Sequence, residues 1–365
     1  MSQSGVLVKN GKLKFLDFVR AAATIAVFVF HTGYLFAFSR TSIINWVKLV
    51  TDGGTVGVSV FFVLSGFLLF YQLYKNKEQL DGPKLKAYIK KRLLRILPLY
   101  YFSLFFIVIF LRHDILFAAD GVRSILYNLI FTRGIKSGGG GGTITINPVY
   151  WSLVVEMHFY ILLPIFYHFF YKLKNILLFV GVLLLGVAYR LALVYLVKTP
   201  SMQFMRFTPA NFDYFALGML GAYLYVNHAK VLNYIGNQYL QIASVVVFIL
   251  FVHYYDLSFL PTLSYVFAPV LLGFITVFCM LSFLMNDRSL LSKIFTSAPF
   301  LYIAKISFSI YIWHAIIISK VDVLALPNAQ KIIINIVLTL VVSATTYYLV
   351  EAPFLRVKNR KIASV

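Results

Sequence analysis

Phe15-Leu-Asp-Phe-Val-Arg20-Ala-Ala-Ala-Thr-Ile-Ala-Val-Phe-Val-Phe-His31 is the stretch on which the fold turns. Apolar side chains fill this run except at Asp17, Arg20, Thr24 and His31. About 20 apolar residues in a helix match the hydrocarbon thickness of a bilayer. Lipid offers the backbone no partners, so such a run must be helical. Ionisable groups inside a span cost roughly 2.5–3.5 kcal/mol each on insertion scales, so Arg20 and His31 suggest function. They stand eleven residues apart. At about 100° per residue, both fall on one helix face, about 16 Å apart along the axis.

Nine more segments of the same kind follow. The ten are 15–37, 54–74, 93–111, 148–170, 175–197, 207–227, 234–254, 262–285, 299–319 and 331–353. The chain is 61% hydrophobic and only 12% charged, against about 25% charged in soluble domains. The expectation is an all-α polytopic membrane protein, a bundle of about ten transmembrane helices, with residues 1–365 forming a single transmembrane domain. The longest gap, 112–147, carries an expected interfacial helix at 122–131 and the loop-like run Ser137-Gly-Gly-Gly-Gly-Gly142.

The formal charge is +21. With the N-terminus cytoplasmic, the inner loops and ends hold twice as many Lys and Arg as the outer ones, chiefly at 75–95 and 356–361. That bias places both termini in the cytoplasm. Topology thus accounts for the basic charge, and no nucleic-acid partner is expected. The lone cysteine, Cys279, lies in an apolar span and reads as an inert core thiol. No nucleotide-binding glycine motif and no group of residues with metal-ligand spacing is present, so no metal is expected.

Several groups could carry chemistry, each with a plainer alternative. His31 suits a general base, because imidazole titrates near neutrality; it also suits helix packing. Asp17, one turn before Arg20, could simply pair with it. Arg92 and Arg95 share a helix face, with Lys90 and Lys91 beside them. Arginine forks fit phosphate oxygens, yet basic residues at a helix end are also ordinary membrane anchors. Glu156 shares a face with Ser152 and Tyr160, whereas Trp151 points well away if the helix is regular there. Gly57 to Gly66 reads as close helix packing. Arg206 and Asp213 could pair across two turns. Ser307, Ser309, Tyr311, Trp313 and His314 fill the ninth span with polar groups. Lys305 could snorkel to headgroups, and Glu351 could pair a basic neighbour.

Taken together, these segments resemble the acyltransferase-3 family of bacterial integral membrane O-acyltransferases. The matching pieces are Phe15-Leu-Asp-Phe-Val-Arg20 leading to His31, Gly57-Val-Ser-Val-Phe-Phe-Val-Leu-Ser-Gly66, and Arg92-Leu-Leu-Arg95-Ile-Leu-Pro98. Trp151-Ser-Leu-Val-Val-Glu156 with Tyr160, Phe308-Ser-Ile-Tyr-Ile-Trp-His314 and Glu351-Ala-Pro-Phe354 complete the set. The resemblance implies transfer of an acyl group, usually acetyl, from cytoplasmic acyl-CoA to a hydroxyl of a cell-surface glycan such as O-antigen or exopolysaccharide. It places the protein in the bacterial cytoplasmic membrane, with membrane lipids and a glycan or glycolipid acceptor as partners. Some members carry a fused extracellular domain; this sequence, ending at Val365, is expected to be the stand-alone type.

The expected division of labour follows from the resemblance. Arg92 and Arg95, with Lys90, Lys91 and Arg20, would hold the phosphates of acyl-CoA at the inner mouth. His31 would take the proton of the acceptor hydroxyl, or accept the acyl group itself, and Glu156 would orient His31 or the sugar. Tyr160, Trp151, His314 and Ser309 would support the acceptor or the bundle. Two rival readings are a transporter or flippase without chemistry, and an acyltransferase for a small-molecule acceptor.

Overall fold

A computed structural model describes residues 13–36, 56–77, 80–132, 144–173, 175–197, 204–254 and 261–360. Its long helices fall on the ten apolar segments. They are α1 (Lys14–Thr32), α2 (Val56–Lys75), α3 (Gly82–Phe106), α4 (Tyr150–Leu173) and α5 (Leu177–Ala192), then α6 (Phe212–Asn227), α7 (Gln238–Tyr254), α8 (Pro261–Met285), α9 (Ala298–Asp322) and α10 (Asn328–Thr346). Among the described residues, eight helical stretches are long and apolar enough to cross a membrane alone. A ninth crossing arises if Ala229–Gly236 and Gln238–His253, bent by 79°, count as one. Helix α6 has only 16 residues, so about ten crossings becomes eight or nine by length and composition. The glycine run at 137–142 lies outside the described residues.

Small residues explain how short α6 is held. A Cβ on Gly218 would strike the carbonyl oxygen of Val63, and one on Gly66 would strike that of Phe215. Gly57 meets the Ala23 carbonyl of α1 in the same way. Helix backbones therefore touch where the sequence supplies glycine, the close packing expected in lipid.

Asp213 at the start of α6 does not pair with Arg206. It takes Arg190 of α5 instead, with Nη2–Oδ2 at 2.7 Å and both side chains fully buried. Arg190 also donates to the carbonyls of Ala210 and Val266. Burying two charges is tolerated only with such complete bonding.

The bundle has two ends. The ends of α2 and α3 that carry Lys75, Lys77 and Lys84 form the basic end. His31, at the close of α1, lies at the opposite end, where α4 begins. There the expected interfacial helix appears as Gly121–Leu129. It is fixed to α3 by the hydroxyls of Tyr100 and Tyr101, which donate to the carbonyls of Asn128 and Leu129 at 2.9 Å.

Candidate active site

Helices α1, α2, α3, α4 and α9 enclose a cavity of about 250 Å³. Helix α3 contributes Arg92 and Arg95, one turn apart on its inward face. Arg92 donates from Nη2 to Gln72 Oε1 at 3.1 Å. Its guanidinium lies 5.4 Å from the ring centre of Tyr88 and 5.9 Å from that of Tyr160. Its Nε is buried without a hydrogen-bond partner. Arg95 reaches the last span, with Nη1 3.4 Å from Glu351 Oε1. Ser309 holds the other oxygen of Glu351 at 3.1 Å. Glu351 sits in the π-helical turn Tyr347–Glu351 that follows α10.

Arg20 enters from α1 and pairs with Asp17 at 2.8 Å. Helix α4 supplies Glu156, which accepts from Ser65 Oγ at 3.2 Å and from the Tyr160 hydroxyl at 2.5 Å. The lining charges are thus three guanidiniums and one carboxylate. Such a cavity attracts anions.

The histidines form a second feature. His31 bonds the Val27 carbonyl through Nδ1 at 2.8 Å, and His314 bonds that of Ile310 through Nδ1 at 3.1 Å. A carbonyl only accepts, so each Nδ1 carries the hydrogen and each Nε2 keeps its lone pair. Nε2 of His314 is buried without a hydrogen-bond partner. The two rings meet edge to face at 4.9 Å. Neither lines the cavity. Tyr311 does, and its ring lies 5.7 Å from His314. Its hydroxyl is tied to Ser152 Oγ at 2.5 Å. Tyr311 therefore stands between the arginine-lined cavity and the histidine pair.

The structure brings together Arg20, Arg92, Arg95, Glu156 and Tyr160. It separates His31 from Glu156, whose hydrogen-bond partners are Ser65 and Tyr160, so the expectation that Glu156 orients His31 is not met. The reason is height: Glu156 shares the Arg20 end of the site, and His31 is three turns further along α1. Lys90 is exposed and Lys91 half-buried, and neither lines the cavity, because successive helical residues turn by about 100° away from Arg92. Trp151 faces Arg206 at 5.8 Å rather than the cavity. Ser309 donates to Glu351, a support of the bundle. Lys305 donates to the Tyr348 hydroxyl at 3.2 Å. Gln72 was not foreseen. Its signal is a lone amide seven residues after Ser65, on the same face of an apolar helix.

The acyltransferase domain model of the acyltransferase-3 family matches residues 13–350. The peptidoglycan O-acetyltransferase OatA of Listeria monocytogenes is 27% identical over 363 residues, covering 93% of this chain and 55% of that protein. The O-acetyltransferase OatA of Staphylococcus aureus is 24% identical over 367 residues, covering 93% of this chain and 56% of that protein. The chain thus spans a little over half the length of these relatives. No solved structure matches it.

Proposed function

We propose, because this chain belongs to the acyltransferase-3 family, that it is an O-acetyltransferase taking acetyl from cytoplasmic acetyl-CoA to a hydroxyl of an envelope glycan. The names of its OatA relatives support acetyl as the group and, in one case, peptidoglycan as the kind of acceptor. The observation that carries the donor assignment is the convergence of Arg20, Arg92 and Arg95 on one cavity, with Arg92 Nε unpartnered.

Pockets that enclose drug-sized ligands run from about 300 to 1,000 Å³. A cavity of about 250 Å³ is too small for a whole coenzyme A. In this reading the nucleotide stays at the basic end, which faces the cytoplasm of a bacterial inner membrane. Arg92 and Arg95 bind phosphate oxygens, and only the pantetheine arm and thioester enter. The acceptor arrives from the opposite end and meets His31.

The chemistry then balances simply. Nε2 of His31 takes the proton as the hydroxyl oxygen bonds to the acetyl carbon. The carbon–sulfur bond breaks, and coenzyme A leaves as thiolate, to be protonated in turn. Tyr311 is the wall that the acetyl group passes, and Glu156 with Tyr160 and Ser65 sets the polar floor of the donor side.

The test is coenzyme A release by the purified chain in nanodiscs, given acetyl-CoA and solubilised cell-wall glycan. Thiol release that needs the glycan and is lost in His31→Ala supports the reading. No release with any glycan, or full release by His31→Ala, rejects it.

A further inference from the structure

The segment that joins α5 to α6 contains two short helical turns, Phe204–Arg206 and Thr208–Asn211. Its backbone is pinned at several points. The Asn211 amide donates to the carbonyls of Met205 and Phe207, both at 2.9 Å. Arg190 Nη1 donates to the Ala210 carbonyl at 2.6 Å, and His158 bonds Thr208 Oγ1 at 2.7 Å. On this stiff frame Arg206 is exposed and makes no hydrogen bond or ion pair to a described residue. The acid next to it in sequence, Asp213, is already taken by Arg190.

The Arg206 guanidinium rests over the Trp151 ring. Stacking uses the flat face of the group and leaves its N–H edge free. The side chain is thereby held in place with its donors unspent on any described residue. Trp151 precedes Ser152, whose hydroxyl bonds Tyr311, and Tyr311 packs on His314, the ring that meets His31, so Arg206 sits at the bundle end where His31 lies. Pre-organised donors cost little ordering entropy on binding.

We propose that Arg206 binds a carboxylate on the acceptor, so that the glycan this chain acylates is an acidic one. A single guanidinium fork matches the two oxygens and single charge of a carboxylate. The inference rests on the transferase reading and deepens it by naming the acceptor class.

The test measures binding without acetyl-CoA, using the full chain in phosphatidylcholine nanodiscs at low salt. One probe is a tetrasaccharide of alternating glucuronate and N-acetylglucosamine. The other is the same tetrasaccharide with its carboxyl groups reduced to alcohols. The wild type binds the acidic probe about ten-fold more tightly, the scale of one charge-assisted hydrogen bond or more. Arg206→Gln erases that preference and leaves the neutral probe unaffected, and Arg206→Lys keeps part of it. Equal binding of the two probes by wild type, or a preference that survives Arg206→Gln, overturns the proposal. A preference abolished by adding phosphatidylglycerol assigns the site to a lipid phosphate and also overturns it. Because no acetyl-CoA is present, the outcome stands apart from the transferase reading. Acidic-probe binding with no acetyl transfer would reject that reading alone.

Discussion

His31 of α1 and His314 of α9 meet edge to face, 4.9 Å between ring centres, with 68° between their planes. Each is tied through Nδ1 to a carbonyl of its own helix, which leaves the lone pair of each ring on Nε2. The pair predicts a graded response. Loss of a general base typically costs about 10²- to 10⁴-fold, so His31→Ala should fall by that much. His314→Phe preserves the flat ring against His31 but removes both nitrogens. We expect a drop of about ten-fold in acetyl transfer, measured by coenzyme A release, with unchanged expression and thermal unfolding. A wild-type rate in His314→Phe would make it a packing residue only.

The arginine pair predicts a binding defect. A hydrogen bond to a charged group contributes about 1.5–3 kcal/mol. Arg92→Ala with Arg95→Ala should therefore weaken acetyl-CoA binding by roughly 100-fold or more, read by calorimetry. Lys90→Ala with Lys91→Ala should stay within about three-fold, because those side chains do not line the cavity. Equal losses in the two double variants would contradict the placement.

The buried Arg190–Asp213 pair predicts a folding defect and no specific catalytic one. Removing one partner of such a pair costs about 3–5 kcal/mol, because the other charge is left uncompensated. Asp213→Ala should lower the thermal unfolding midpoint by several degrees, with any surviving protein active in proportion to its folded fraction. Arg206→Ala should leave that midpoint unchanged. A reversal of these two effects would restore the pairing of Arg206 with Asp213.

The glycine contacts predict an insertion or packing failure. Gly218→Val pushes a branched side chain into the Val63 backbone of α2, where no side-chain rotation can relieve it. Overpacking typically costs about 1–3 kcal/mol, and backbone collision raises that. Gly181→Val, at a position where a Cβ meets nothing within 4 Å, is the matched control. Equal yields of folded protein from both variants would show that α2 and α6 are not in contact there.

The helices could be read from sequence because a run of about 20 apolar residues has few other uses. The charged lining of the cavity could be read for a related reason. Arg20, Arg92, Arg95 and Glu156 stand out as charges in lipid, and period 3.6 puts Arg92 and Arg95 together. Period 3.6 also turns Lys90 and Lys91 away, which the resemblance to a phosphate site obscured. Pairings between distant segments could not be read. Asp213 has Arg206 near it in sequence and Arg190 near it in space, and only the helix contacts decide. Glu351 reaches Arg95 from a π-helical turn, which shifts the register in a way that no apolar pattern announces. The wall formed by Tyr311 depends on the crossing of α4 and α9, fixed by the Ser152–Tyr311 bond across 159 positions of sequence.

Whether His31 serves acetyl transfer to an envelope glycan is decided on the glycan itself. The most direct measurement is NMR of O-acetyl groups on surface glycan from a deletion strain carrying either the wild-type gene or His31→Ala. A transferase that relies on His31 gives acetyl signals restored by wild type and absent with His31→Ala, at equal amounts of membrane protein. Equal acetylation in both complemented strains would contradict the role of His31. Acetylation unchanged by the deletion itself would contradict glycan acetylation as the activity.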